Sequence, residues 1–285
     1  MKGKILNGIP VASNIKANVA NRVGELQSQG IHPCLSTVLV GDDMASTTYV
    51  KNKHRAAAEV GIISSDYRLS KDSQEVELLE LIRSLNNDEK VHGILVQLPL
   101  PQHMDVFKVI DSLKPAKDVD GLTAYNGGML MKGRPILKPC TPSGVMELFS
   151  FYDIEITGMD VTVVNRSNLV GTPLLFLLLE KDATVTICHS KTKDLIAKLR
   201  NADVIISAVG DRNKFVIDAG MVKEGSIVVD IGISRRKGKL VGDVDFESVI
   251  EKAKWITPVP GGVGPLTIAM LLSNTVWAAS LQALD

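Results

Sequence analysis

The sequence predicts an α/β protein of two domains, each a mainly parallel sheet with helices on its faces. Three observations lead there. Apolar runs of strand length alternate with amphipathic segments along nearly the whole chain, and such a strand–helix–strand series implies parallel sheets covered on both sides. A length of 285 residues suits two domains. An irregular stretch from Lys114 to Pro139, rich in Gly, Lys and Asp, interrupts the alternation and marks the junction. The expected division is 1–139 and 140–264, with a closing helix over about 265–285.

In the first half, Pro10 to Gln29 reads as a helix with Val11, Ile15, Val19 and Val23 on one stripe. Cys34 to Val40 reads as a buried strand. Ser46 to Val60 reads as the next helix, with Asp42, Asp43 or Ser46 available to cap it. Ile62 to Leu69 is a strand, Gln74 to Leu85 a helix, and Gly93 to Leu98 a strand that Pro99 and Pro101 stop. Past the junction, Thr141-Pro142 starts a helix, Thr as N-cap and Pro in its first turn. Strands follow at Asp160–Val164, Ala183–Cys188, Asp203–Ala208, Ser226–Ile231 and Ile256–Pro258. Helices are expected at Val170–Glu180, Asp194–Arg200 and Pro265–Leu281. No repeat of fixed period and no low-complexity tract occurs.

Composition narrows the class. The hydrophobic fraction is 45% and the charged fraction 22%, which is ordinary for a globular protein. Lys+Arg and Asp+Glu both number 32, so nothing favours a nucleic acid or an anionic membrane as partner. The short basic run Arg235-Arg236-Lys237 reads as a solvated turn. Cys34, Cys140 and Cys188 are odd in number and widely spaced, which argues against disulfides and zinc. The N-terminus lacks a signal-peptide core, and the most apolar run, Pro173 to Leu179, is too short to span a bilayer. A reduced, cytoplasmic protein is expected.

The helix Ser46–Val60 carries one residue on an unexpected face. At about 100° per residue, Tyr49, Ala56 and Val60 form one side, while Lys51, His54, Arg55 and Glu59 point away. Lys53 falls on the apolar side, one turn after Tyr49, close enough for both to act on one small molecule. A lysine at a core edge usually snorkels to water, so this feature alone does not establish a site. Other polar groups in apolar surroundings add to it. Gln97 ends an apolar strand, Asp118 and Asp120 sit in a glycine turn, and residues 257–265 form a rigid loop of Pro and Gly before a helix.

The second half offers a nucleotide site. The strand Val161–Val164 runs into Asn165 to Gly171 and then a helix, a turn that places backbone N–H groups at a helix N-terminus. The G-x-G-x-x-G fingerprint is absent, and an ordinary βα turn accounts for the local pattern equally well. The next strand ends at Cys188-His189-Ser190 with no acid for a ribose 2′-hydroxyl. Ser190, Lys191 and Arg166 favour a 2′-phosphate, hence NADP. Cys188-His189 reads as a strand end near the cofactor, not as a metal or nucleophile pair.

Taken in order, GDDMASTTYVKNK, GILVQLPLP, PAKDVDGL, PCTPSG, RSNLVGTP, TVTICHSKT and TPVPGGVGP resemble one family closely, over nearly the whole chain. It is the bifunctional methylenetetrahydrofolate dehydrogenase/methenyltetrahydrofolate cyclohydrolase family, the FolD type. The resemblance implies two α/β domains around a cleft, the second a Rossmann-type NADP-binding domain, in a homodimer that serves one-carbon metabolism and purine biosynthesis. It implies a catalytic Lys53, a substrate-stacking Tyr49 and a Gln97 that orients the lysine. Leu98, Asp120, Pro260, Gly261 and Gly262 would complete the folate contacts. Asn165, Arg166, Ser167, Ser190 and Ile231 would contact NADP.

The chain departs from the family at Asn165, where Gly is common, at Thr123-Ala124 for His-Pro, at Thr172 for Lys and at Leu266 for Met. Asn tolerates positive φ, so the Asn165 turn is expected to survive. Two readings compete with the bifunctional enzyme within oxidoreductases. One is a dehydrogenase-only member, disfavoured by Lys53, Gln97 and Asp120. The other is a short-chain dehydrogenase, whose Tyr-x-x-x-Lys pair follows the nucleotide turn, whereas here it precedes it. A non-catalytic nucleotide-binding protein is a third reading, disfavoured by the same polar residues.

Overall fold

The structure, a computed structural model, describes residues 2–236 and 238–283. Lys237 of the basic run and the last two residues of the closing segment lie outside the described residues. The chain divides into two compact units. One joins Met1–Ala12 to Thr141–Thr267, and the other joins Ser13–Cys140 to Ile268–Asp285. The first residues thus go with the nucleotide unit, not with 13–139 as the sequence division has them.

The chain opens with strand β1 (Lys4–Ile5) and helix α1 (Gly8–Ser28), whose Val11, Ile15, Val19 and Val23 form the predicted buried stripe. The lysine-bearing unit continues with β2 (Cys34–Val40), α2 (Met44–Glu59), β3 (Ile63–Leu69), α3 (Glu75–Asn87), β4 (Gly93–Val96), α4 (Val106–Asp111) and α5 (Ala124–Met131). Its strands form a parallel sheet in the order β3-β2-β4, with Val38 opposite both Tyr67 and Val96. The central strand β2 is buried along its whole length, as a strand covered on both faces must be. Helix α3 lays Leu78, Ile82 and Leu85 on Val38, Val40, Ile94 and Val96, a 3.6-period stripe against a sheet face.

Helix α2 begins two residues before the predicted Ser46, because Asp43 is its cap and accepts from the Ser46 N–H at 2.8 Å. The stretch expected to be irregular contains α5, capped by the Thr123 side chain. Gly127 and Gly128 inside it are poor helix formers and hide it from a periodicity reading.

The nucleotide unit follows with α6 (Cys140–Phe151), β5 (Asp160–Val164), α7 (Gly171–Leu179), β6 (Thr184–Cys188), α8 (Leu195–Asn201), β7 (Val204–Ser207) and β8 (Ile227–Asp230). Then come β9 (Ser234–Arg236), β10 (Lys239–Val241), α9 (Phe246–Val249) and β11 (Trp255–Ile256), and the chain closes with α10 (Gly264–Gln282), most of which belongs to the lysine-bearing unit. Helix α6 starts at Cys140, so Thr141 lies inside it and is not its cap. Strand β11 ends at Ile256, short of the predicted Pro258, which has no N–H for a ladder.

The main sheet runs β1-β11-β8-β7-β5-β6, every pair parallel. From β5 the chain goes first to β6 on one side and then to β7 on the other. That reversal makes the carboxyl ends of β5 and β7 the topological switch point, where open α/β sheets bind ligands.

Helix α10 is long and apolar enough to cross a membrane by length and composition, although the run chosen from sequence was Pro173–Leu179. Half of its most apolar window is buried inside the protein, which is what a core helix does. In the lysine-bearing unit it buries Leu271, Leu272, Ala278 and Ala279 and sends Asn274 to the backbone carbonyls of Val119 and Lys138, both at 2.8 Å.

Candidate active site

Helix α2 places Tyr49 and Lys53 one turn apart on the side that meets the sheet. Lys53 is only 8% exposed, while Tyr49 keeps 40% of its surface in solvent. The wheel misplaced one neighbour. His54, expected to face away, is half-buried and bonds the Ser64 hydroxyl of β3 at 2.8 Å.

The Lys53 ammonium donates to Gln97 Oε1 at 3.0 Å. The other end of the same amide donates from Nε2 to the Leu98 carbonyl at 2.7 Å. A carbonyl can only accept, so the amide is pinned with its oxygen toward the lysine. The Gln97 backbone N–H continues the ladder to Val38 at 2.8 Å, which fixes its Cα as well. Burial lowers the Lys53 pKa below the usual lysine range, opposed by the nearby charge of Asp120 and by Cys140. Burial also raises the Tyr49 phenol, which stays protonated and packs as a neutral ring.

Asp120 stands in a turn fixed from several directions. Gly121 sits at φ +68°, and a Cβ there would come within 2.7 Å of the Lys138 carbonyl carbon and the Pro139 nitrogen. On one side Asp118 is buried and accepts from the Thr123 N–H at 2.8 Å and from Asn126 Nδ2 at 2.9 Å; burial pushes its carboxyl upward. On the other, Asn274 holds the Val119 and Lys138 carbonyls. The Cys140 thiol donates to the Val119 carbonyl at 3.3 Å, and burial first, then Asp120, holds it protonated.

Sequence reasoning missed Cys140 and Asn274 as site residues. Asn274 left a signal, a carboxamide in the middle of an apolar helix. A lone cysteine leaves none.

In the other unit, Asn165 ends β5. Its Oδ1 accepts from the N–H groups of Ser167 at 2.7 Å and Gly171 at 3.1 Å, and its Nδ2 donates to the Ala208 carbonyl at 2.6 Å. The side chain therefore spans the switch point from β5 to the end of β7. Positive φ is not what Asn165 supplies: among the described residues only Asp153, Asp182 and Asp194 have it besides glycines. The expected supply of free N–H groups is also corrected. Those of Ser167, Val170, Gly171 and Thr172 are all engaged within the turn, by Asn165, the Ser167 hydroxyl, Asn165 and the Ser167 carbonyl in that order.

What the turn leaves outward is the exposed Arg166, with exposed Ser190 following the adjacent strand β6. A guanidinium and a hydroxyl at neighbouring strand ends, with no acid between, fit the 2′-phosphate of NADP. Ile231 follows β8 and donates its N–H to the Ser207 carbonyl at 2.7 Å. Pro260, Gly261 and Gly262 belong to this unit too. Their loop carries a cis Val259–Pro260 bond, and the Gly261 carbonyl accepts from the Gly8 N–H at 2.8 Å.

Residues 6–120 match the tetrahydrofolate dehydrogenase/cyclohydrolase catalytic domain, and residues 139–283 match the NAD(P)-binding domain of the same family. The chain belongs to the tetrahydrofolate dehydrogenase/cyclohydrolase family. It is 54% identical to the bifunctional protein FolD of Nitrosopumilus maritimus, over 99% of each chain. It is 53% identical to that of Moorella thermoacetica, over 98% of this chain and 99% of the relative. The bifunctional FolD structure from Campylobacter jejuni superposes with a TM-score of 0.95 at 49% identity, covering 98% of this chain and 99% of that one. The Trypanosoma brucei FolD, a complex with NADP and an inhibitor, gives 0.94 at 36% identity over the full length of both.

As a member of this family the chain is a bifunctional, NADP-dependent methylenetetrahydrofolate dehydrogenase and methenyltetrahydrofolate cyclohydrolase. It oxidises 5,10-methylenetetrahydrofolate to the methenyl cation and hydrolyses that cation to 10-formyltetrahydrofolate.

Proposed function

We propose that Lys53 carries the proton of the hydrolytic half of this activity, with Gln97 orienting it and Tyr49 shielding it. The observation that supports this most is a buried amine of lowered pKa whose hydrogen bond, among the described residues, goes to one pinned amide oxygen. Water attacks the cationic carbon that bridges two nitrogens, and a proton must leave that water. Lys53 as free amine takes it. Because the product keeps its formyl group on N10, the bond from carbon to N5 breaks as the carbinol C–OH becomes the formyl C=O. The same ammonium returns its proton to N5, and the carbinol proton is released to solvent as the one proton the hydrolysis yields. A cationic substrate beside the lysine lowers its pKa further, which favours the free amine at the start.

Tyr49, half in solvent, is placed to stack on the flat substrate, and Leu98 and Asp120 complete the folate contacts on this unit. Pro260, Gly261 and Gly262 are assigned to folate by the family resemblance. When bound, NADP supplies the hydride acceptor for the oxidative half. Arg166, Ser167, Ser190 and Ile231 hold it, and Asn165 shapes the turn that presents them. The dehydrogenase step asks orientation of these residues and no strong base.

The edge strand β3 has one sheet partner, β2, and exposes Ile63, which suits the homodimer the family implies. Three buried free cysteines suit a reducing cytoplasm, where 10-formyltetrahydrofolate would feed purine biosynthesis.

The test is a two-wavelength assay on purified protein that follows reduced cofactor and methenyl intermediate together. Lys53→Met should accumulate methenyltetrahydrofolate without hydrolysing it. A folded Lys53→Met protein that hydrolyses at the wild-type rate overturns the assignment.

A further inference from the structure

Two buried carboxylates in the nucleotide unit have no part in the chemistry above. Asp243 is fully buried and Asp230 3% exposed. Carboxylates are almost never buried to this degree without partners.

Asp243 follows the β9–β10 hairpin and reaches back under the end of β7. Its Oδ2 accepts from the Ser207 hydroxyl and the Val209 N–H, both at 2.7 Å, and its Oδ1 accepts from the Gly210 N–H at 2.9 Å. Gly210 there holds φ +69°. Room for the carboxylate comes from Gly232, where a Cβ would lie 2.2–2.4 Å from its atoms. Asp230, the last residue of β8, holds the backbone of Asp243 in turn. Its Oδ1 accepts from the N–H groups of Gly232 and Asp243, both at 3.0 Å, and its Oδ2 from Val244 at 2.8 Å. Burial first, with Asp243 adding to it, pushes Asp230 up to about 7 against the pull of these donors.

The residues Asp243 grips are those to which the cofactor turn is tied. The Ala208 carbonyl, between Ser207 and Val209, accepts from Asn165. The Ser207 carbonyl accepts from the N–H of Ile231. The carboxyl ends of β5, β7 and β8 are thus linked through one segment, 207–210, and a single buried side chain grips that segment from below.

We propose that Asp243 is a positioning residue for NADP binding: by fixing residues 207–210 it sets the Asn165 turn and the Ile231 strand end against the cofactor. The proposal rests on the reading of those strand ends as the cofactor face. Asp243 touches no substrate in this scheme, and cyclohydrolase chemistry, built on Lys53 in the other unit, does not depend on it.

The bifunctional enzyme supplies its own control. Asp243→Asn turns one acceptor oxygen into a donor that faces N–H or O–H groups, so it should raise the KM for NADP about tenfold or more. The kcat/KM for hydrolysis of methenyltetrahydrofolate without cofactor should stay within about twofold. Ser207→Ala deletes one of the three bonds without burying a new donor and should raise the KM for NADP about two- to threefold. It decides the matter should Asp243→Asn fail to fold. Wild-type KM for NADP in folded Asp243→Asn, or in Ser207→Ala when it alone folds, overturns the proposal. So does an equal loss of both activities, which marks a merely structural role. Arg166→Ala and Ser190→Ala separate the underlying reading. If they leave the KM for NADP unchanged, the cofactor face is misassigned. If they raise it while the Asp243 and Ser207 variants do not, only the positioning claim fails.

Discussion

The two units treat buried polar groups in opposite ways. Among the described residues, buried Lys53 makes one hydrogen bond, to Gln97, although an ammonium can donate three. Asp243 and Asp230 are as deeply buried, and each carboxylate accepts three donors. Asn165 likewise uses both ends of its amide. A group saturated with partners holds a shape and has no capacity left for a reaction. A group buried with few partners is unstable as a charge, and that is the condition a proton carrier near neutral pH requires. Burial alone does not separate the two kinds of site; the count of satisfied hydrogen bonds does.

The largest effect is expected at Lys53. Lys53→Met should lower cyclohydrolase kcat by about a thousandfold or more, the range for losing a general acid–base group. The dehydrogenase rate should fall by no more than about tenfold, since that step needs orientation only. Equal losses in the two activities would place Lys53 among binding groups.

Next in size is Gln97→Ala. It removes the amide that holds Lys53 but leaves the amine itself, so cyclohydrolase kcat should fall about ten- to a hundredfold. The ascending limb of the pH–rate profile should shift with it, because the ammonium loses the oxygen that accepts from it. A wild-type profile in this variant would reduce Gln97 to packing.

How much of this was legible beforehand follows the range of each interaction. The Tyr49–Lys53 pair is helical periodicity within one turn, so a wheel finds it. Gln97 shows as a polar residue in an apolar strand, though not that Leu98 pins its amide. The wheel failed at His54, because it shows the faces of α2 and not that β3 lies under one of its polar residues. At Asn165 the sequence shows a polar residue in a turn but not what its amide bonds. Its side chain bonds a carbonyl at Ala208, contributed by a strand on the far side of the switch point, and no local pattern encodes that. Asn274 and Cys140 act on backbone carbonyls near Asp120, and carbonyls leave no mark in a sequence. The parallel sheets were legible because strand runs and amphipathic helices alternate. The hairpin β9–β10, three residues a side, is too short for any period to show.

On the saturated side, Asn165→Ala leaves Ser167, Gly171 and Ala208 without their shared partner. The KM for NADP should rise about three- to tenfold, and cyclohydrolase should not change. The family resemblance implies glycine at this place, so Asn165→Gly should be the milder of the two in the same assay. If alanine and glycine behave alike at the wild-type KM, the bridge between β5 and β7 is incidental to cofactor binding.

The smallest effect is on stability, and its sign distinguishes the two kinds of site once more. The Lys53 pKa is lowered in the folded protein and ordinary in the unfolded chain. Between the lowered value and 10.5 the unfolded chain binds the extra proton, so stability rises with pH across that window. Below the window the folded protein carries the whole cost of a buried, sparsely bonded ammonium. Lys53→Met removes that cost and keeps the apolar stem. It should therefore raise the thermal midpoint by about 2–4 °C at neutral pH, a gain that shrinks as the pH approaches 10.5. Thermal unfolding of the two proteins from pH 7 upward checks this. Parallel curves, or a lower midpoint for Lys53→Met, would mean that Lys53 is better satisfied in the folded state than its single amide partner implies.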